Sequence, residues 1–217
     1  MNFALASMRR WLGSYRAAAP LGRWVVVDTE TSGLDPGRDR LLAIGAVAVD
    51  DDGILLGDSF ETVVRGAPSG DAANIVVHGI GHGTQATGTP ARDALAAFRE
   101  WAADAPRVGF HTDFDRSVLR VAYAGAGLPA DDRPWLDLAP LAMALVPGAY
   151  RYGGRSLDDW LAAFGIECTI RHNAASDALA TAELLLRLRA IAAKQGARGF
   201  AALVKAARAQ KWLGNAD

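Results

Sequence analysis

An apolar, β-branched run that ends in two acids is the feature that most constrains the fold of this chain. Trp24 is followed by three valines, and Asp28 and Glu30 come directly after them. Such a run predicts a buried strand at the centre of a sheet. Because side chains alternate along an extended backbone, acids two residues apart lie on the same face. Two adjacent carboxylates repel each other unless a cation lies between them, although such a pair alone does not establish a metal site.

The patterned segments that follow predict an α/β fold, with a mixed β-sheet flanked by helices. Thr89 is expected to cap the first helix, with Pro90 as its first residue, and Ser156 and Asp159 predict a capping box. The acidic turn at residues 50–53 predicts an antiparallel hairpin. The predicted strands cover residues 24–27, 41–49, 54–65, 107–110 and 134–137, and the predicted helices cover residues 90–103, 113–124, 156–164, 174–193 and 200–211.

Length and composition predict one compact domain. The chain has 217 residues, of which 51% are hydrophobic and 22% charged, so it has ample material for a core. No segment resembles a linker between two domains. We expect an α/β domain over residues 23–192, a basic amphipathic extension over residues 1–22 and a basic helix within residues 193–217.

Charge is unevenly distributed along the chain, although the net charge is only −1. Residues 1–23 carry four arginines and no acid, residues 24–177 carry twelve basic and twenty-two acidic side chains, and residues 178–217 carry seven basic and two acidic ones. An acidic middle is unusual for a nucleic-acid-binding protein, because phosphate contacts need lysine and arginine. Acids that bind divalent cations would account for it. The basic ends either help to hold a polyanion or are solvated surface helices.

Several classes of protein are excluded by simple sequence features. No stretch of about eighteen apolar residues occurs, so we expect no membrane-spanning segment. The arginines of residues 1–19 interrupt any apolar region, which argues against a secretory signal. The single cysteine, Cys168, excludes an intramolecular disulfide framework. These features favour a cytoplasmic protein.

Three acidic motifs occur in order along the chain. The first is Val-Val-Val-Asp-Thr-Glu-Thr-Ser-Gly-Leu-Asp-Pro over residues 25–36, the second is Phe114-Asp115, and the third is His172-Asn-Ala-Ala-Ser-Asp177. Asp113 is set aside as an expected helix cap. Together the motifs resemble those of the DnaQ-like, or DEDD, exonucleases, which include the epsilon proofreading subunit of bacterial DNA polymerase III. The resemblance covers residues 23–192, and Asn173 stands where a tyrosine branch of the family has its tyrosine, so the similarity is to the histidine branch (DEDDh).

The resemblance implies a ribonuclease-H-like fold and a two-metal mechanism. Two divalent ions, Mg²⁺ or Mn²⁺, would be held by four carboxylates, with Asp115 acting largely through coordinated water. A neutral histidine suits the role of general base near pH 7. The expected catalytic residues are Asp28, Glu30, Asp115, Asp177 and His172, the first four of which are the expected metal ligands.

Further residues match family positions that contact the 3′-terminal nucleotide. The expected substrate-binding residues are Thr31, Leu34, His78, Ile80, His111 and Phe114. Core packing is the alternative role for Leu34 and Ile80. The family often has His-Asn where this chain has Phe110-His111, so His111 is the candidate substitute. Three arginines near the third motif, Arg151, Arg155 and Arg171, are candidates for phosphate contacts.

The implied activity is release of nucleoside 5′-monophosphates from a nucleic-acid 3′ end. DNA, particularly single-stranded DNA, is favoured over RNA as substrate, and the resemblance also raises association with a DNA polymerase as an expectation. The alternatives are an RNA-trimming or oligoribonuclease-like enzyme, and a non-catalytic, polymerase-associated module that binds nucleic acid. Nothing in the motifs reads the 2′-hydroxyl, so the sequence does not separate DNA from RNA.

Overall fold

A five-stranded mixed sheet forms the centre of the protein, as the segment order predicts. The computed structural model describes residues 22–66, 79–148 and 156–214. The strand order is β3-β2-β1-β4-β5. The first three strands pair antiparallel, whereas β4 pairs parallel with β1 and β5 pairs parallel with β4. The strands are β1 (Trp24–Thr31), β2 (Leu41–Val49), β3 (Ile54–Val63), β4 (Arg107–Gly109) and β5 (Trp135–Asp137).

Helices cover both faces of this sheet. Within the described ranges they are α1 (His82–Thr87), α2 (Ala91–Ala102), α3 (Asp113–Gly125), α4 (Leu138–Leu145), α5 (Leu157–Phe164), α6 (Ala174–Lys194) and α7 (Phe200–Gly214). Of the helices in the described parts of the chain, none is long and apolar enough to cross a membrane. The predicted extension over residues 1–22 falls almost entirely outside the described residues.

Alternation along β1 divides the core into two parts. Trp24 and Val26 face a cluster that includes side chains of α4, α5, α6 and α7. Val25 and Val27 face a second cluster, to which α2 and α3 contribute. Both faces of the strand are therefore buried, which explains the continuous apolar run in its sequence. The same alternation assigns Asp28 and Glu30 to the α6 side of the sheet.

Strand β1 is longer than the apolar run that predicts it. We expected the strand to end before the acids, but it continues to Thr31 because β2 goes on pairing with it, Asp28 opposite Gly45 and Glu30 opposite Ala43. A register shift between Glu30 and Thr31 marks the end of regular pairing. The expectation that the acids follow the strand is wrong, since both lie within it. The expectation that they share a face agrees with their positions in the strand.

Two predicted helix caps are also wrong. Thr89 forms a parallel bridge with Val64, its N–H bonding to Val63 O at 2.8 Å, so Pro90 is the capping residue of α2. Thr112 is the capping residue of α3, and Asp113 is the first helical residue, with its exposed side chain paired to Lys211. In each case the backbone enters the helix one residue away from the position that the side-chain preference indicates.

Other local predictions agree closely with the structure. Strand β2 has the predicted bounds, and Asp50 accepts hydrogen bonds from the N–H groups of the hairpin turn. Ser156 and Asp159 form the predicted reciprocal capping box at the start of α5. Helix α4 was missed by the sequence analysis. Its eight residues are all apolar, so the sequence has no polar face to reveal a helical period, and Asp137 caps it by accepting from Ala139 N.

Candidate active site

The amino-terminal end of α6 lies directly on the central strands. A β-carbon at Gly45 would fall 2.1 Å from the carbonyl carbon of Ala174 and 2.2 Å from the nitrogen of Ala175. Because Gly45 is opposite Asp28 in the sheet, this close approach brings the first turn of α6 over the acids of β1. Any side chain at position 45 would force the helix away from the sheet.

The backbone before α6 points the third motif at the same place. Asn173 caps the helix by accepting from Ser176 N at 3.0 Å, and His172 has a φ of 60°. This turn lets the His172 N–H donate to Asp177 Oδ2 at 3.0 Å. The Asp177 carboxylate, in the first helical turn, is buried beside the acids of the strand.

Three carboxylates converge as a result. One oxygen atom of each of Asp28, Glu30 and Asp177 lies within 4.8 Å of the others. All the donors in this group are carboxylate oxygens, the ligands that hard divalent cations such as Mg²⁺ and Mn²⁺ prefer. The group therefore has the chemistry and spacing to hold such a cation.

Asp115 lies close by but outside that group of three. It is in the first turn of α3, is buried, and accepts a hydrogen bond from Thr29 Oγ1 at 2.7 Å. Its charge is near enough to raise the pKa of Asp28. The structure therefore brings the second motif close to the acid cluster.

The pKa values of three carboxyl groups here, those of Asp28, Glu30 and Asp115, are raised above their ordinary values. Removal from water is the main cause, and it raises the pKa of Glu30 to about 8 and that of Asp115 to about 7. The pKa of Asp28 is raised by burial first and then by repulsion from Asp115, Asp177 and Glu30. Such repulsion among buried like charges is relieved by protons or by bound cations.

Arg171 is the cation that the structure sets among these acids. Its guanidinium contacts Asp177 Oδ1 through Nη1 and Asp158 through Nε, with a further hydrogen bond from Nη2 to Asp158 Oδ2 at 3.4 Å. Burial by itself lowers the pKa of Arg171, but the bonds to the two carboxylates outweigh it and raise that pKa. The charge of Arg171 also offsets part of the rise in the pKa values of Asp28 and Glu30, which stay raised.

An open cleft of about 500 Å³ gives access to the cluster. His172 is exposed at this cleft, while its backbone is fixed to Asp177. His111 also lines the cleft and is held by its N–H, which donates to Asp137 Oδ1 at 3.0 Å. The lining residues are Asp28, Thr29, Glu30, Phe110, His111, Ser156, Leu157, Arg171, His172 and Asp177.

The other expected substrate residues lie in different environments. Thr31 is buried and donates to Gly33 O at 2.6 Å, whereas Leu34 is 90% exposed. Ile80 packs in a small buried cluster with Leu42, Ala43 and Ala174, and the half-buried Phe114 packs against the core beneath α2 and α3. His78, Arg151 and Arg155 lie outside the described residues.

Two acids near the cleft were not singled out from the sequence as site residues. Asp137 ends β5 and accepts hydrogen bonds from His111 N and Ala139 N, each at 3.0 Å. Asp158 pairs with Arg171. The position of Asp137 after a parallel strand was the available signal, because the carboxyl ends of parallel strands meet at one edge. No local pattern marks Asp158, whose role depends on a residue thirteen positions away.

Known proteins are similar to this chain in sequence and in fold. The family model RNase_T, described as an exonuclease, matches residues 25–185. A DNA polymerase III subunit epsilon-like protein of Rhodobacter capsulatus is 34% identical over 88% of this chain, and a PolC-type DNA polymerase III of Bacillus subtilis is 31% identical over 80%. The aligned chain spans only 27% and 12% of those two proteins.

Solved structures agree with the sequence relatives. E. coli exonuclease I in complex with a dT13 oligonucleotide has a TM-score of 0.69 and 18% identity, covering 80% of this chain and 42% of that one. A zinc-bound complex of the same protein with single-stranded DNA has a TM-score of 0.64 and 18% identity over 77% of this chain and 40% of that chain. These similarities confirm the expected ribonuclease-H-like fold. With the family model matching most of its length, the chain belongs to the DnaQ-like exonuclease family.

Proposed function

We propose that this protein is a 3′→5′ exonuclease that releases nucleoside 5′-monophosphates with the help of two divalent cations. The observation that carries the proposal is the convergence of Asp28, Glu30 and Asp177, with Asp115 beside them, at the bottom of an open cleft. Family membership supports the reaction class. Carboxylates that repel one another in this way suit a site that gains divalent cations.

The four acids divide the work of holding the cations. Asp28, Glu30 and Asp177 would hold the first ion, and Asp28 with Asp115 would hold the second, with Asp115 acting through water. Bound Mg²⁺ or Mn²⁺ would activate water and offset charge on the leaving 3′ oxygen. The chain's own contribution is to fix the acids through the first turns of α3 and α6 and through β1.

His172 is the proposed general base. Its side chain is exposed at the cleft, and its backbone is bonded to a proposed metal ligand, so it stays near the reacting water. Thr31, Leu34 and His111 would contact the terminal nucleotide; the 90% exposed Leu34 is free to pack against a base. The packed positions of Ile80 and Phe114 favour an indirect role, in shaping the walls of the cleft.

Single-stranded DNA is the proposed substrate. DNA polymerase III names among the relatives, and exonuclease I structures with DNA oligonucleotides among the fold neighbours, support DNA over RNA. The same names support association with a DNA polymerase. A cytoplasmic location is part of the proposal and is supported by the single cysteine.

A digest of matched DNA and RNA oligonucleotides tests the proposal. The purified protein with Mg²⁺ or Mn²⁺ should shorten 5′-labelled single strands one nucleotide at a time, and EDTA should stop the reaction. A strand whose 3′ end is blocked is the control and should stay intact. Undegraded DNA and RNA at high enzyme concentration would refute catalysis and leave a nucleic-acid-binding module. Faster cleavage of RNA would assign the protein to RNA trimming instead.

A further inference from the structure

Arg171 divides one positive charge between two carboxylates of unequal exposure. Asp177 is 6% exposed and belongs to the acid cluster, whereas Asp158 is 62% exposed and lies at the start of α5. Asp177 Oδ1 accepts from Arg171 and from Cys168 Sγ, and Asp177 Oδ2 accepts from the His172 N–H. Both oxygens therefore have protein donors, and three of the roughly four acceptor positions of this carboxylate are occupied, so a cation that binds Asp177 has little room beside them.

A cation displaces the Arg171 donor at Oδ1 more easily than the His172 donor at Oδ2. The His172 N–H is fixed by the backbone, but the guanidinium of Arg171 ends a flexible side chain that has a second partner in Asp158. A divalent cation and an arginine also repel each other, so a cation at Asp177 displaces the guanidinium. Asp158 then holds Arg171 beside the cleft that it already lines.

Charge balance indicates what the displaced guanidinium can bind. Four ionised carboxylates carry four negative charges, which two divalent cations neutralise. The Nη1 side of the guanidinium, which Asp177 no longer occupies, can then donate to phosphate oxygens of the substrate, while Nε and Nη2 remain bonded to Asp158. None of this requires Arg171 to take part in proton transfer.

We propose that Arg171 is a substrate-positioning residue that weakens cation binding at Asp177 and, once cations occupy the acid cluster, binds the phosphate backbone near the 3′ end while Asp158 anchors it. The inference rests on the proposed exonuclease function and deepens it. It assigns Arg171 and Asp158 a joint role in coupling cation binding to substrate binding.

Removal of the side chain separates this role from a structural one. Arg171→Ala should bind Mn²⁺ about tenfold more tightly in calorimetry without substrate, because a competing charge is gone. The same variant, in Mn²⁺, should bind a dT oligonucleotide with 3′-terminal phosphorothioate linkages roughly tenfold more weakly in fluorescence anisotropy. Arg171→Lys should keep Mn²⁺ affinity near the wild-type value but remain weak for the oligonucleotide, since a lysine lacks the fork.

Two further variants make the comparison specific. Asp158→Asn removes the anchor, so it should weaken both Mn²⁺ and oligonucleotide binding. Arg187→Ala removes an exposed arginine that lies about 15 Å further along α6 than Asp177. This variant should change neither Mn²⁺ binding nor oligonucleotide binding. Weaker Mn²⁺ binding by Arg171→Ala, or unchanged oligonucleotide binding, would overturn the proposal. Neither readout depends on cleavage, so a protein that fails to hydrolyse DNA would refute the proposed function while these measurements still decide the role of Arg171.

Discussion

The two ends of the β1–β4 strand pair differ in how their buried charges are paired. The strands run parallel, so Arg23 before β1 and Arg107 at the start of β4 lie at the same end. Arg23 makes a two-pronged contact with Asp58 at 2.7 and 3.0 Å, and Arg107 bonds to Asp131 and to backbone carbonyls. Each buried cation there has an acid of its own.

The opposite end gathers acids with too few cations. Asp28, Glu30, Asp115 and Asp177 lie together, and Arg171 is the cation that the described structure sets against them. Pairing at the first end ties the segment before β1 to β3 and the loop at Asp131 to β4. Incomplete pairing at the second end is expected to cost stability. Buried like charges, more than buried charge in general, therefore indicate a binding site.

The largest expected effect comes from neutralising one acid of the cluster. Asp28→Asn should lower the rate of cleavage on the order of 10³-fold or more, because a proposed bridging ligand is lost. The same change removes a repelled charge, so the EDTA-treated variant should melt at a higher temperature than wild type at about pH 8. A single-turnover assay and thermal denaturation measure the two effects. Near-normal cleavage would show that another site carries the chemistry.

Breaking a pair at the opposite end should reverse this pattern. Arg107→Met leaves Asp131, whose side chain is 8% exposed, without its ion-pair partner, and we expect a loss of about 3–5 kcal/mol in unfolding free energy. Cleavage per folded molecule should stay normal. Arg133→Met is the matched control, because its ion pair with Asp104 is exposed and should contribute at most about 1 kcal/mol. Equal destabilisation by both variants, measured by urea denaturation, would contradict the distinction.

His172→Ala tests whether His172 is a general base or a metal ligand. Loss of a general base should slow cleavage about 10²-fold or more. Mn²⁺ affinity, measured by calorimetry, should be close to that of wild type. A large loss of Mn²⁺ affinity would instead make His172 a ligand.

The acidic end should also make the unfolding free energy of the metal-free protein depend on pH, which is a smaller effect. The pKa of Glu30 is raised from 4.5 to about 8, so the folded protein binds more protons than the unfolded chain between these values. The unfolding free energy contributed by this group therefore falls as pH rises through that window. Mg²⁺ should raise the melting temperature more at about pH 8 than at about pH 5. Glu30→Gln should flatten the pH dependence in EDTA, and an unchanged slope would argue against a raised pKa.

Local sequence signals predicted much of the fold. Strand β2, its acidic turn and the capping box at Ser156 depend on neighbouring residues, so pattern and capping preference were sufficient. The acids of the site were identified by motif and order. Convergence of Asp28, Glu30 and Asp177 agrees with that identification, although their roles remain predictions.

Features that depend on distant partners were missed. Strand β1 extends through two acids because β2 supplies the hydrogen bonds, which the sequence of β1 alone does not reveal. Helix α4 has no polar face because it is buried on nearly every side. The link from Arg171 to Asp158 joins the turn before α6 to the start of α5 and has no sequence pattern of its own.

Gly45 has a role that exceeds its size. It contributes no functional group, yet the contact of its bare α-carbon with the backbone of Ala174 fixes how far the first motif lies from the third. The separation of the proposed metal-binding oxygens thus depends on the absence of a side chain at position 45 of the neighbouring strand. A substitution at position 45 would therefore change the spacing of the proposed metal ligands without altering any of them, because an added β-carbon would meet the backbone of Ala174 and Ala175.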